Sequence, residues 1–368
     1  MRALRLVPVL LLLIGCGKDP SDPAALAGSV ESIDSLPINR IQVIGSHNSY
    51  RRRTPSPLFE FLLALDWILP GEYKTKQLDY THEPLADQLD QYRMRSFEFD
   101  FYHDPDGGRF YYRQGNKLVG QSTDSGVPEL KLPGSKMLHI ADVDYLSHFP
   151  TLSQGLAALR DWSDAHPTHL PIFVLMEPKD DSLDDTIPWF GFTKVLKWDA
   201  AAMAYLEQEV AAVFQANPSK IFTPAELRGD AADLPTAIAT KGWPALAQMR
   251  GRIVFLLFAP PGYSPGLMFP FSEPGQPDAA FVRYDDPVKD YDKIRAAVEA
   301  GYMVRTRADD GTVEARSGDT ARRDKAFASG AQIVCTDYYR PDKRWSDYAV
   351  VFPDGASGRT DTGQLVSD

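Results

Sequence analysis

The stretch IQVIGSHN, residues 41–48, decides the fold. Ile41, Val43 and Ile44 form a short apolar run that stops at Gly45 and then presents Ser46, His47 and Asn48. An imidazole beside an amide is poor core material, so the run reads as a buried strand offering chemistry at its C-terminal end. The same shape returns along the chain. RSFEFDFYH (95–103), KMLHIADVD (136–144), PIFVLMEPKDD (171–181), RIVFLLFAP (252–260), FVRYDD (281–286), YMVRTRADD (302–310) and AQIVCTDYY (331–339) are β-rich, and most of them end in polar residues.

Helical spacing of apolar residues fills several of the gaps: LSQGLAALRDWSDAH (152–166), WDAAAMAYLEQEVAAVF (198–214), YDKIRAAVEAG (291–301) and TARRDKAFASG (320–330). Strands alternating with helices indicate parallel βαβ units. Eight candidate strands predict an α/β fold, a (β/α)8 TIM-type barrel open to distortion, in one domain over residues 36–368. An open doubly wound sheet is the alternative, but no GxGxxG follows the first strand. In a barrel, chemistry sits at the C-terminal ends of the strands. His47, Asn48, Glu98, Asp100, His139, Glu177, Lys179, Arg305, Arg307 and Asp337 all fall at or near such ends. Residues 55–80, with PLFEFLLALDWILPG, and residues 182–197 and 260–280 fit less well and read as long loops on the catalytic face.

The chain has 368 residues and a net charge of -11, which disfavours a nucleic-acid partner without a local basic face. Its start, MRALRLVPVLLLLIGCGKDP, has a basic beginning and an apolar run over Leu6–Ile14. That run is too short to span a bilayer and reads as a signal peptide over residues 1–15. The ending LIGC resembles a bacterial lipoprotein signal, which implies cleavage before Cys16 and lipidation of its thiol. Residues 16–35 then form the lipidated cysteine and a flexible tether, with the protein anchored in the bacterial cell envelope. An ordinary secretory signal with an incidental cysteine is the alternative, and it gives a secreted protein. The other cysteine, Cys335, lies in an apolar run and reads as a core thiol.

The strand-end carboxylates come first in the chemistry. Glu98 and Asp100 are two apart, so on a strand they share a face. An apolar strand does not bury two carboxylates without compensation. Glu177 ends another apolar run, and Asn48 adds an amide oxygen. This oxygen-only set suits Ca²⁺, with Mg²⁺ second; the plainer reading is a set of salt bridges to arginines. Of the seven histidines, His47 adjoins Asn48, His82 lies in the loop YTHEPLADQLD, and His139 ends KMLH. Imidazoles near such a set are candidates for proton transfer at neutral pH. His148, His166 and His169 lie in turn-like contexts and read as structural. Lys179, Arg305 and Arg307 are candidate anion contacts, or else ion pairs with Glu98, Asp100 or Glu177.

Five stretches together resemble the bacterial calcium-dependent phosphatidylinositol-specific phospholipase C family. They are QVIGSHNSY, YTHEPLADQLD, RSFEFDFY, LHIADVDYLSHFPTLSQGLAALRDWSDAHPTHLPIFVLMEPKDD and YMVRTRADDGTVEARSGDTARRDKAFASGAQIVCTDYY, in the family's order from about residue 41 to 340. The resemblance implies a (β/α)8 barrel and Ca²⁺ held by Asn48, Glu98, Asp100 and Glu177. It implies His47 as one catalytic histidine and His82, the family's loop histidine, as the second. His139 matches the strand-end histidine of the wider phospholipase C superfamily and stays an active-site candidate. The sequence departs at Ala141, where a proline is frequent, and at RRRTP after the first motif. The implied reaction is intramolecular phosphodiester cleavage of a phosphoinositide lipid at a membrane surface, giving diacylglycerol and a cyclic or acyclic inositol phosphate, by a monomer. The rival readings are a glycerophosphodiesterase or sphingomyelinase-D-like enzyme, and a non-catalytic lipid-binding lipoprotein.

Overall fold

Strands in chain order are β1 (Ile41–Ser46), β2 (Ser96–Tyr102), β3 (Lys136–Met137), β4 (Ile172–Lys179), β5 (Ile253–Leu257), β6 (Phe269–Pro270), β7 (Phe281–Arg283), β8 (Met303–Arg307), β9 (Ile333–Thr336), β10 (Gly358–Thr360) and β11 (Leu365–Val366). The structure is a computed structural model and describes residues 32–68 and 74–368. The signal peptide, Cys16 and most of the tether expected from the sequence lie outside the described residues. Among those described, no helix is long and apolar enough to cross a membrane.

Eight strands run parallel in the order β6-β5-β4-β2-β1-β9-β8-β7. The two ends of that order meet through a parallel bridge between Phe271 and Phe281, where the Ser272 N–H donates to the Phe281 carbonyl at 3.1 Å. The sheet is therefore a barrel. Gly45 explains the break in the opening apolar run: a Cβ there would stand 2.5 Å from the Ser96 Cβ, so β1 and β2 come together only around a glycine.

Strand β2 carries the alternation that positions the site. Phe97, Phe99 and Phe101 are fully buried and pack with Leu156, Leu159, Leu206 and Val210. The last four come from the helices Leu152–Ala165 and Ala200–Val213. Glu98 and Asp100 take the intervening positions and face the barrel interior. Each buried phenylalanine contributes about 1.5–3 kcal/mol, which locks the register of both carboxylates. The helices Tyr291–Glu299 and Ala321–Ala328 also stand where their spacing places them.

The count of eight barrel strands holds, but its membership differs from the sequence reading. In residues 136–144 only Lys136 and Met137 are extended, and they pair antiparallel with the end of β2. Asp142 at φ 72° turns the chain away from a strand. The missing barrel strand is β6, inside the segment read as a loop over 260–280. Two residues ending in a proline, which has no N–H to donate, leave no strand-like pattern to read. The insertion after β1 contains the helix Ser56–Ala64, which buries Leu58 and Phe59. Beyond it, Trp67 stays 83% exposed.

Candidate active site

The C-terminal ends of β1, β2, β4, β8 and β9 bring the chemistry together. Glu98 and Asp100 on β2 and Glu177 on β4 each offer an oxygen within 4.8 Å of the others. Asp100 and Glu177 are register partners across the two strands. Burial, and then the charge of Glu177, raises the Asp100 carboxyl well above its usual range. Lys179 Nζ lies 3.0 Å from Glu177 and 3.7 Å from Asp100, while Arg305 Nη2 lies 2.6 Å from Glu98.

Asn48 completes the set. It sits just past β1 at φ 51°, a left-handed conformation that asparagine tolerates better than most residues. One amide atom stands 3.0 and 3.3 Å from the Asp100 oxygens, and the other stands 3.0 Å from the Tyr80 hydroxyl. With nitrogen toward Asp100 the contact is a hydrogen bond. With oxygen toward Asp100, acceptors face one another, an arrangement that a cation between them stabilises. Three clustered carboxylates and an amide oxygen fit a hard oxygen-seeking cation such as Ca²⁺.

His47 follows β1 directly. Its Nδ1 lies 2.9 Å from Asp337 Oδ1 and its Nε2 3.5 Å from Glu98 Oε1. Burial alone would raise Asp337, but His47 and Arg307 outweigh it and hold the carboxyl well below the usual range. Arg307 Nη2 is 3.3 Å from Asp337 Oδ2. An ionised aspartate on Nδ1 keeps the proton there and leaves Nε2 to accept one. Behind Asp337 lies Asp309, fully buried, which accepts the Asp337 backbone N–H at 2.9 Å and is pushed up to about 7 by burial and by Asp337.

His139 has the same construction. Its Nδ1 lies 2.7 Å from Asp144 Oδ2, and among the described residues its Nε2 has no hydrogen-bond partner. Its side chain is 16% exposed, close to the 17% of His47. Burial lowers its pKa below the usual histidine value. Glu177 is lowered, against its burial, first by Lys179 and then by His47 and His139, so both imidazoles lie within electrostatic reach of one carboxylate.

His82 is placed differently. Its side chain is 1% exposed, and its Nε2 lies 2.7 Å from the His47 carbonyl oxygen. Its ring stacks on Tyr339 at 5.4 Å, with Tyr80 edge-on. Burial lowers it to about 4, so it is neutral near pH 7. The same Nε2 stands 4.0 Å from Asp337 Oδ1, the carboxylate that also meets His47. Arg305 is also sealed, at 2% exposure, between Glu98 and Asp285, while Lys179 and Arg307 keep some exposure. Cys335 is buried and pushed up to about 11 by that burial, an inert core thiol. The sequence reading assigned no role to Asp337, Asp144 or Arg51; Asp337 at least was marked by its strand end.

The family model described as phosphoinositide phospholipase C, Ca²⁺-dependent, matches residues 36–361. Among solved structures, the chain resembles the calcium-dependent phosphoinositol-specific phospholipase C from the Gram-negative bacterium Pseudomonas sp. One crystal form of that apo enzyme is 16% identical at a TM-score of 0.53, covering 90% of this chain and 97% of that one. Its myoinositol complex is 15% identical at 0.51, covering 89% and 96%. The Ca²⁺-dependent phosphatidylinositol-specific enzyme from Streptomyces antibioticus is 15% identical at 0.48, covering 83% and 95%. No curated protein matches the chain significantly. The match over nearly the whole length decides the assignment: the chain belongs to the calcium-dependent phosphoinositide phospholipase C family.

Proposed function

We propose that the chain cleaves phosphatidylinositol by attack of the inositol 2-hydroxyl on phosphorus, with His47 and His139 as the proton-transfer pair. The observation that carries this reading is the matched construction of the two imidazoles. Each has Nδ1 held by a buried aspartate, and both act on Glu177 beside the carboxylate cluster. His47 Nε2 takes the hydroxyl proton. His139 Nε2 gives a proton to the leaving glycerol oxygen, and diacylglycerol departs. Each transfer contributes roughly 10²–10⁴-fold. The attacking hydroxyl and the phosphorus belong to one molecule, which lowers the entropic barrier. An anionic phosphodiester in the cavity favours the His139 imidazolium that burial disfavours.

Asn48, Glu98, Asp100 and Glu177 hold Ca²⁺ in this reading, and the ion supplies neutralisation of phosphoryl charge and acidification of the attacking hydroxyl. Lys179 and Arg307, partly exposed, contact phosphate or inositol. Arg305 is spent on its buried ion pairs with Glu98 and Asp285 rather than meeting substrate. The test is product analysis on phosphatidylinositol with Ca²⁺ and with chelator, beside glycerophosphocholine and sphingomyelin. Calcium-dependent release of diacylglycerol from phosphatidylinositol alone supports the reading; choline or ceramide phosphate as the product contradicts it.

The LIGC ending of the signal supports a lipid anchor through Cys16 in the bacterial cell envelope. In detergent phase separation the mature protein then follows the detergent, and Cys16→Ser moves it to water. Wild-type protein in the aqueous phase after signal cleavage contradicts the anchor.

A further inference from the structure

The motif RRRTP, residues 51–55, follows the first catalytic stretch and has no part in the reaction as described so far. Its first arginine is nonetheless among the largest fully buried side chains of the protein. Arg51 Nε donates to Asp144 Oδ2 at 2.5 Å and its Nη2 to Asp144 Oδ1 at 2.9 Å. Its Nη1 reaches the Tyr80 carbonyl at 2.5 Å and Nη2 the Leu78 carbonyl at 2.7 Å. Thr54 Oγ1, from the same motif, donates to Asp144 Oδ1 at 2.7 Å. Asp144 is the residue that holds His139.

A buried bidentate pair of this kind has one geometry and little freedom. It is also expensive to bury, so its place beside a strand-end histidine calls for a reason. The partners supply one. Arg51 lies three residues after Asn48 and four after His47, in one turn closed by the Arg51 N–H on the Asn48 carbonyl at 2.9 Å. The Arg51 guanidinium lies over the Tyr80 ring, 4.3 Å from its centre, and the Tyr80 hydroxyl meets the Asn48 amide. One short turn therefore carries the first histidine, a proposed metal ligand and the clamp on the carboxylate behind the second histidine.

We propose that Asp144, clamped by Arg51 and Thr54, is the positioning residue of His139 and registers it against His47 and Asn48. Asp144 touches no reacting atom in this account. It holds the His139 proton on Nδ1 and aims Nε2, while Arg51 keeps Asp144 ionised and fixed to the turn after β1. The proposal rests on the reading of His139 as the general acid. Groups facing the pair from the elements around it are Tyr80, Tyr50, Tyr145, His139 and, at longer range, Asp337.

The test compares Asp144→Asn with His139→Ala on two substrates, phosphatidylinositol and an inositol phosphodiester with an aryl leaving group. The isosteric Asp144→Asn should lower kcat on the lipid by ~10²-fold or more, as expected when a general acid is misheld, and leave KM within about threefold. On the aryl substrate, whose leaving group needs no proton, the loss should shrink below about tenfold. Equal losses on both substrates, or no loss, overturn the proposal. If the neutral variant leaves Arg51 uncompensated and does not fold, ¹⁵N-imidazole NMR of the wild-type protein decides instead. A proton on Nδ1 of His139 supports the clamp; a proton on Nε2 with Nδ1 bare overturns it. Wild-type turnover in His139→Ala removes the reading beneath the proposal, whereas loss in His139→Ala without loss in Asp144→Asn removes the positioning role alone.

Discussion

His82 and His139 are two histidines competing for one role, and their surroundings differ in kind. His139 has one ring nitrogen on an ionised aspartate and the other free, with part of its ring exposed. His82 has one nitrogen on a backbone carbonyl, the other buried with no hydrogen-bond partner among the described residues, and its face covered by Tyr339. The difference teaches what a proton-transfer imidazole requires. One nitrogen must be held so that the other is aimed, and the aimed nitrogen must reach the reactant. His82 Nε2 meets the His47 carbonyl at 2.7 Å and stands 4.0 Å from Asp337 Oδ1, yet its side chain is only 1% exposed.

The largest expected effect falls on both histidines alike. If the reacting phosphodiester lies against Glu98, Asp100 and Glu177, removing Ca²⁺ should lower turnover by at least ~10³-fold in the wild type and in a His82 variant. Added Ca²⁺ should restore it and Zn²⁺ should not, because the ligands are all oxygens. Asp100→Asn should raise the calcium concentration needed for half activity. Full activity in excess chelator breaks the comparison at its base.

The next effect separates the two residues. His82 should matter to stability more than to turnover. Its folded pKa of about 4 lies below the ordinary histidine value of 6.5, so between these values the unfolded chain binds more protons. Its share of stability is therefore complete above about pH 6.5 and is lost as pH falls towards 4, at up to about 1.4 kcal/mol per pH unit. His82→Phe should lessen the acid slope seen in denaturant titrations at several pH values. His169, also lowered to about 4, leaves part of that slope in place. An unchanged slope means that His82 is not the buried neutral group described.

A smaller effect concerns pH and rate. His139 must be protonated to act as an acid, so activity falls as pH rises through its pKa. Burial lowers that pKa in the free enzyme, whereas bound phosphate raises it. The alkaline limb of kcat/KM should then lie at lower pH than the limb of kcat. Coincident limbs argue against His139 as the acid. The smallest effect is that of Tyr339→Leu. Losing the stack on His82 should destabilise the fold by ~1 kcal/mol and change kcat by less than about threefold.

Much of this was legible in the sequence because strand ends announce themselves. Glu98, Asp100 and Glu177 each interrupt or end a buried apolar run, and a buried carboxylate there needs a partner. Asn48 and His47 follow from the same rule. The choice between His82 and His139 was not legible, because it depends on which nitrogen is held, and the holders stand in other elements. Asp144 lies five residues after His139 in a turn that looked like strand, and Arg51 stood only as part of RRRTP, a departure from the family's pattern. Strand β6 was hidden by its two-residue length, and its role shows only where Phe271 meets Phe281 to close the ring.

The central claim is that His139, not His82, works opposite His47. The direct measurement is kcat on phosphatidylinositol at saturating Ca²⁺ for His139→Ala and His82→Phe side by side, each checked for folding by circular dichroism. The account predicts a loss of ~10²–10⁴-fold for His139→Ala and less than about tenfold for His82→Phe. A folded His82→Phe protein that has lost turnover, beside a His139→Ala protein that keeps it, would contradict the account.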